Sequence, residues 1–374
     1  MSPDAFFRDL LGKAGISIDG DRPWDLKVRD PRVYSRMLRD GTIGLGEAYM
    51  EGWLDCERVD LMAERAYRAD LTRQIAFRVP VIKALELRLN PFGSRSRSFE
   101  IGERHYDTGN DLFEIMLDPY MTYSCGYWLR ANTLETAQRD KLELTCRKLQ
   151  LEPGQRVLDI GAGFGSFARY AAEHYGVTVV GISVSQQQID LGRRLCAGLP
   201  VEFRYADYRD VDEPFDRIVS IGMIEHVGRR FYRDFFAACQ RCLKPAGILL
   251  LHTVGALKEE SANPWFDKYI MPGVEFPTIA NIVGSMGNKL VIEDLHTWEG
   301  AHYDKTLMAW FERFDGGWDR IQQKYGEVFY RMWKVYLQGC AGAFRAERLR
   351  VWQLVFSNGG IPGGYAYGHQ RALN

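Results

Sequence analysis

The decapeptide Arg156-Val-Leu-Asp-Ile-Gly-Ala-Gly-Phe-Gly165 constrains this chain more than any other stretch of its 374 residues. Val157 to Ile160 reads as a short buried strand, and three glycines at alternate positions follow it. From Phe164 onward, Phe167, Ala168, Tyr170, Ala171 and Ala172 suit a helix packed on a sheet. A strand that ends in a glycine-rich turn and opens a helix brings bare backbone close to a ligand.

Two ligand classes use this device, dinucleotides and S-adenosylmethionine (SAM). A dinucleotide turn needs G-x-G-x-x-G and an acid about twenty residues on to hold a ribose. Here Gly161, Gly163 and Gly165 are followed by Ser166, where that pattern wants its third glycine. The second strand, Val177 to Ile182, ends in Gly181-Ile-Ser-Val-Ser185 with no acid at its tip. Asp159 at the end of the first strand instead matches the D-x-G-x-G-x-G turn of SAM-dependent methyltransferases. A nicotinamide dehydrogenase is therefore disfavoured.

The length predicts one large domain with an appendage. With 46% hydrophobic and 26% charged residues, the composition is that of an ordinary globular protein. No apolar run approaches the roughly 20 residues of a membrane-spanning helix, and the first residues lack a signal-peptide core. The seven cysteines form no paired C-x-x-C set, which argues against zinc and for reduced thiols in a cytosol. A net charge of −1 gives no support to nucleic-acid binding. Charge is nevertheless uneven. Residues 65–97 hold eight basic residues against Asp70 and Glu86, interleaved with Leu71, Ile75, Val79, Ile82 and Leu85. Such a segment is either a solvated helix face or a patch for an anionic membrane surface.

Residues 1–90 read as a small, mainly helical domain, with Gly41 to Gly46 as a loop and a helix starting near Glu47. Residues 91–104, rich in breakers, form the expected linker. Residues 105–374 alternate strand and helix, which predicts an α/β, doubly wound domain. Its later strands are Val201–Tyr205, Arg217–Ile221, Ile248–Thr253, Leu290–His296 and Val351–Phe356. A helix spans about 231–243, Lys244 to Gly247 make a turn, 255–289 is an irregular insertion, and one long helical stretch covers about 305–346.

Catalysis in such folds gathers at the carboxyl ends of the strands. Glu225 and His226 follow the fourth strand, His252 ends the fifth, and Tyr303 lies past the sixth. Upstream, Tyr123-Ser-Cys-Gly-Tyr-Trp128 offers a thiol and hydroxyls. Each also has a plain structural reading, as a satisfied core histidine, a packing tyrosine or a buried cysteine. No nucleophile elbow or metal-ligand spacing is present.

Across nearly its whole length the chain resembles the cyclopropane-fatty-acyl-phospholipid synthases. The part after the linker is also similar to the mycolic acid cyclopropane synthases. The resemblance rests on Gly44-Leu-Gly-Glu-Ala-Tyr-Met-Glu-Gly-Trp53, His105-Tyr-Asp-Thr-Gly-Asn-Asp111, Tyr123-Ser-Cys125, Val157-Leu-Asp-Ile-Gly161, Glu225-His-Val-Gly228, Leu250-Leu-His-Thr253 and Tyr303-Asp-Lys-Thr-Leu-Met-Ala-Trp310. It implies a SAM-dependent, Rossmann-like methyltransferase domain that transfers methylene to a cis double bond of a phospholipid acyl chain. An alkene is a poor nucleophile, so the sulfonium must sit over it in a dry site.

The resemblance further implies that a bicarbonate ion takes the proton whose loss closes the ring. Cys125, Glu225, His252 and Tyr303 would hold it, with the backbone of Val254. A carboxylate beside an anion is sensible only if Glu225 orients a donor or one of the two carries a proton. Toward SAM, the resemblance implies Tyr123, Ser124, Asp159, Gly161, Gly163, Gly165, Ser183, Gln188, Asp207 and Tyr208, with Gln188 on the ribose and no metal. The family's usual Gly-Cys-Gly-Trp-Gly is Gly161-Ala-Gly-Phe-Gly165 here. A cytoplasmic homodimer bound peripherally to the inner face of the membrane is the implied setting. Rival readings are a sister enzyme leaving a methyl or methylene branch, a small-molecule methyltransferase, and a lipid-binding protein with an inactive SAM fold.

Overall fold

Aliphatic runs become strands wherever they can be covered on both faces. Arg156–Ile160 (β1), Thr178–Ser183 (β2), Val201–Tyr205 (β3), Phe215–Ile221 (β4), Leu243–Ala256 (β5), Leu290–Trp298 (β6) and Leu349–Asn358 (β7) build one sheet. Its order is β3-β2-β1-β4-β5-β7-β6. β1 is parallel to β2 and β4, β2 to β3, and β4 to β5, whereas β6 and β7 are antiparallel. The order reverses between β1 and β4, and ligands of open α/β sheets bind at that switch point. The α/β, doubly wound expectation matches this topology.

The computed structural model describes residues 2–71, 109–259 and 262–366. The linker 91–104, the basic stretch beyond residue 71 and the first part of the His105–Asp111 motif lie outside the described residues. The chain divides into two compact units. One comprises Met1–Pro91, Ala262–Pro272 and Glu299–Leu349, the other Phe92–Ser261, Gly273–Trp298 and Arg350–Asn374. The expected cut into 1–90 and 105–374 does not follow this partition, because the helical unit draws in two later stretches.

In the sheet unit, side chains alternate strictly between two cores, as the pleat requires. Leu158, Ile160, Val180, Ile182, Ile218, Leu249, Leu251 and Leu354 join one core with helix Tyr232–Cys242. Val157, Val179, Val219, Ile248, Leu250 and Val355 join the other, with helices Leu134–Lys148 and Ser166–Tyr175. By this parity Asp159, His252 and Gln353 belong to the second face. The expected turn at Lys244–Gly247 lies inside β5, with Ala246 at φ 56° absorbing the bend. The insertion expected to be irregular carries two short helices, Pro264–Tyr269 and Ile279–Val283.

In the helical unit, the loop expected at Gly41–Gly46 is helical after a single break. Gly41 at φ 59° kinks helix Arg32–Met50, which then runs on through Gly44 and Gly46. Those glycines serve packing, since a Cβ on Gly46 would lie 2.2 Å from Trp265. The long stretch expected over 305–346 is two helices, Gly300–Gly316 and Gln322–Arg345, parted at Gly317 by a turn of 3-10 helix. Gly342 lets the second of these cross helix Val59–Arg68 closely, because a Cβ there would lie 2.4 Å from the Asp60 carbonyl oxygen.

Candidate active site

A cleft of about 1280 Å³, counting solvent at its mouth, opens over the tips of β1, β2 and β4. Tyr123, Ser124, Asp159, Gly161, Gly163, Ser183, Gln188, Asp207 and Tyr208 all line it. The three turn glycines divide the labour. Gly163, at φ 56°, has open space where a Cβ would project, so its backbone forms bare cleft floor. A Cβ on Gly165 would meet Phe203 at 2.6 Å, which makes that glycine a packing residue beneath the turn. Phe164 packs on Phe113, which in turn meets the Tyr123 ring edge-on, so a small aromatic cluster supports this wall.

The polar lining is arranged with some groups satisfied and some not. Ser183 Oγ donates to Gln188 Oε1 at 2.8 Å, and Asp207 accepts from the Arg209 N–H and guanidinium at 3.0 Å each. Asp159 Oδ2 is buried without a hydrogen-bond partner among the described residues. Burial pushes the Asp159 carboxyl up to about 7, with the Lys141 ammonium pulling the other way. A buried carboxyl with a bare oxygen on a cleft wall is a ready partner for a cationic ligand.

Behind the tips of β4 and β5 lies a second cluster. Glu225 Oε1 accepts from the Val254 N–H at 2.7 Å, whereas Oε2 is buried with no partner among the described residues. Burial raises this carboxyl to about 7. Val254 thus joins the cluster through its N–H, which is committed to Glu225. His252 is 2% exposed, meets Trp298 edge-on at 5.0 Å, and has Nδ1 3.3 Å from Gln353 Nε2. Burial, reinforced by Lys141, Lys148 and His296, pushes its pKa well below the usual histidine range. Cys125 is buried, with its thiol donating to the Gly126 carbonyl. Tyr303 belongs to the helical unit, where it packs on Phe344 and Trp310.

Sequence reasoning passed over the helix beneath these groups. Gln138, Lys141, Thr145 and Lys148 are each fully buried and follow one another at helical spacing. Gln138 Nε2 donates to the Ser124 carbonyl at 2.8 Å and Lys141 Nζ to Ser124 Oγ at 2.9 Å, which together fix that part of the cleft wall. Burial lowers the Lys141 ammonium to about 8. Lys148 Nζ pairs with Asp294 at 3.0 Å and lies 3.1 Å from His296 Nδ1. His226 also lines the cleft, and burial lowers it to about 4. The available signal was the 3-4-3 spacing of polar residues on one helix, which from sequence reads as a solvated face.

The family model described as mycolic acid cyclopropane synthetase matches residues 93–354. The chain belongs to this family. It is similar to the cyclopropane-fatty-acyl-phospholipid synthase of Escherichia coli strain K12, with 47% identity over 353 residues covering 94% of this chain and 92% of that protein. Among solved structures it is similar to the cyclopropane synthase MmaA2 of Mycobacterium tuberculosis, with 32% identity, a TM-score of 0.66, and coverage of 72% of this chain and 100% of that one. The mycolic acid cyclopropane synthase CmaA1, solved with SAH and CTAB, matches at 34% identity and a TM-score of 0.64, covering 70% and 98% of the two chains. The sheet unit is accordingly a SAM-dependent methyltransferase fold, and the chain is an enzyme of that class.

Proposed function

We propose that this enzyme transfers a methylene group from SAM to the cis double bond of an unsaturated phospholipid acyl chain, closing a cyclopropane ring. The observation that carries the reading is the 47% identity to the E. coli synthase, spread over 94% of this chain. In this reading Gly161 and Gly163 bring backbone under the methionine portion, and Asp159 offers its unpartnered oxygen to positive charge. Gln188, held by Ser183, takes the ribose, while Asp207 and Tyr208 border the adenine.

Bicarbonate fits the second cluster. When bound it supplies the base for the proton lost on ring closure. A buried anion needs donors. His252 supplies one, and Glu225 supplies another from Oε2 while it carries a proton, a form that burial keeps populated up to about pH 7. That removes the objection to a carboxyl beside an anion. Cys125 belongs to the same proposed set, and Tyr303 is carried into it by the family resemblance alone. The deciding experiment combines the protein with SAM and an unsaturated phospholipid, followed by mass spectrometry and NMR of the acyl chains. A gain of one CH2 with ring protons, and no need of a reductant, supports the proposal. A methyl or methylene branch overturns it in favour of the sister activity.

The enzyme must also reach its lipid. Among the described residues no helix is long and apolar enough to cross a membrane. We place it in the cytoplasm as a homodimer at the inner membrane face, held by apolar insertion and the basic bias of residues 65–97. Sedimentation velocity tests the dimer, and vesicle binding tests the docking.

A further inference from the structure

We infer that Thr145 and Gln353 are positioning residues that lock His252 in the tautomer with its proton on Nε2, so that its imidazole serves as a hydrogen-bond donor and not as the base. The relay is read from donors and acceptors in turn. Thr145 Oγ1 lies 2.8 Å from the Lys141 carbonyl, which can only accept, so the single hydroxyl proton is spent there. Thr145 Oγ1 must then accept from Gln353, 3.3 Å away, which turns the amide nitrogen of Gln353 toward it. That nitrogen has a second proton, and it points at His252 Nδ1, also 3.3 Å away. Nδ1 therefore accepts, and a neutral ring that accepts at Nδ1 carries its proton on Nε2.

Two further observations favour this orientation of the amide. The reverse one would draw the Thr145 proton from a 2.8 Å bond to a 3.3 Å one. It would also leave an NH2 group at the position where Gln353 Oε1 is now buried without a partner among the described residues, and orphaned donors are rarer than under-satisfied carbonyls. Neutrality is enforced from several sides. His252 is buried, and Lys141, Lys148 and His296 all disfavour a second proton on it. All the groups of the relay are themselves inaccessible to water, with Thr145 and Gln353 at 0% exposure. The parity of the sheet explains how the residues meet. His252 on β5 and Gln353 on β7 share the face that helix Leu134–Lys148 covers.

The inference deepens the proposed reaction, because it rests on His252 lying at the reacting centre. A neutral Nε2–H donor can hold an anion and cannot accept the substrate proton at that nitrogen, so the base must be another group. The experiment uses the full-length protein labelled with 15N-histidine. His252 is assigned by the resonance lost in His252→Asn, and its tautomer is read from long-range 1H–15N correlations at neutral pH. The parent is expected to carry its proton on Nε2. In Gln353→Glu the carboxylate can only accept, so the proton moves to Nδ1. Turnover then falls about ten- to a hundredfold, the range for losing a partner that orients a functional histidine, while KM for SAM is kept. Should Gln353→Glu fail to fold, Thr145→Val removes the acceptor at nearly constant volume. It should yield mixed tautomers and a lower kcat, and Thr145→Ser should restore both. A parent with the proton on Nδ1, or variants that lose turnover with an unchanged tautomer, overturns the relay. If the relay is observed but the parent forms no ring product, the proposed function falls and the relay stands.

Discussion

The cleft over the glycine turn and the buried cluster around Glu225 and His252 share one sheet but are built by different means. The cleft has a floor of bare backbone at Gly163, with side chains such as Asp159, Ser183 and Gln188 around it. The cluster is mostly side chain, and its two titratable groups are held by residues farther along the chain, Val254 for Glu225 and Gln353 for His252. Backbone sites tolerate neighbours but no Cβ. Side-chain sites tolerate bulk nearby but no change of a donor. The two regions should therefore fail in different ways.

The largest expected effect is in the cleft. Gly163→Val combines a β-branched residue at φ 56° with occupation of the open floor. SAM binding by titration calorimetry should disappear while the circular dichroism of the sheet is retained, and unchanged affinity would reject this site. Gly165→Ala provides the contrast. Its Cβ would strike Phe203 at 2.6 Å, so it should cost about 1–3 kcal/mol of stability by overpacking, read as a lower melting temperature.

Among the residues proposed for bicarbonate, His252→Ala or Tyr303→Phe should lower product formation at least about tenfold, the low end for a lost catalytic hydrogen bond, with SAM affinity nearly kept. Parallel loss of SAM binding would mean that the two regions are one. Bicarbonate added to a degassed assay should raise the activity of the parent. Full activity without it would remove the anion from the scheme.

The two buried carboxyls sharpen the comparison through opposite signs. Both sit near 7 because of burial. In the proposed scheme Asp159 meets a cation and must lose its proton, so SAM affinity should weaken as pH falls through about 7, and Asp159→Asn should flatten that limb. In the same scheme Glu225 donates and must keep its proton, so turnover should decline as pH rises through about 7, and Glu225→Gln should flatten the other limb. For folding, both values lie above those of an unfolded chain. Stability from these groups is greatest below the unfolded carboxyl range and declines as pH rises toward 7.

The smallest effect concerns docking. Arg73, Arg78 and Lys83 lie outside the described residues, and attraction to an anionic surface is worth roughly 1 kcal/mol per basic residue before screening. Replacing all three by Glu should reduce co-sedimentation with anionic vesicles a few-fold, more at low salt, with SAM binding intact. Sedimentation equal to the parent would make the stretch a solvated face.

The same contrast explains what could be read in advance. β1, its glycine turn and Asp159 are contiguous, and strand period, turn chemistry and helix start are all local properties, so the fold class and the cleft were legible together. Glu225 and His252 were singled out by their places near strand ends, although β5 runs on past His252 to Ala256. Lys141, Thr145 and Gln353 were missed for a physical reason: a polar stripe on a helix is ordinarily solvated, and this one is taken inward by Ser124, Asp294 and Gln353, partners that helical spacing does not reveal. Gly44 and Gly46 misled in the same way, since a glycine needed for close packing, against the Arg36 carbonyl and Trp265 respectively, looks locally like a loop.

The interleaving of the two units also bears on synthesis. Asp60 is wholly buried and takes Arg345 as an ion-pair partner, at 2.9 Å across 285 positions of chain. Helix Val59–Arg68 therefore leaves the ribosome long before the helix that shelters it exists. At about 5–20 residues per second that wait lasts on the order of tens of seconds, through the emergence of nearly the entire sheet. During that interval the face of the helix that Gly342 will cover, at Asp60 and Ala63, has no partner from its own chain.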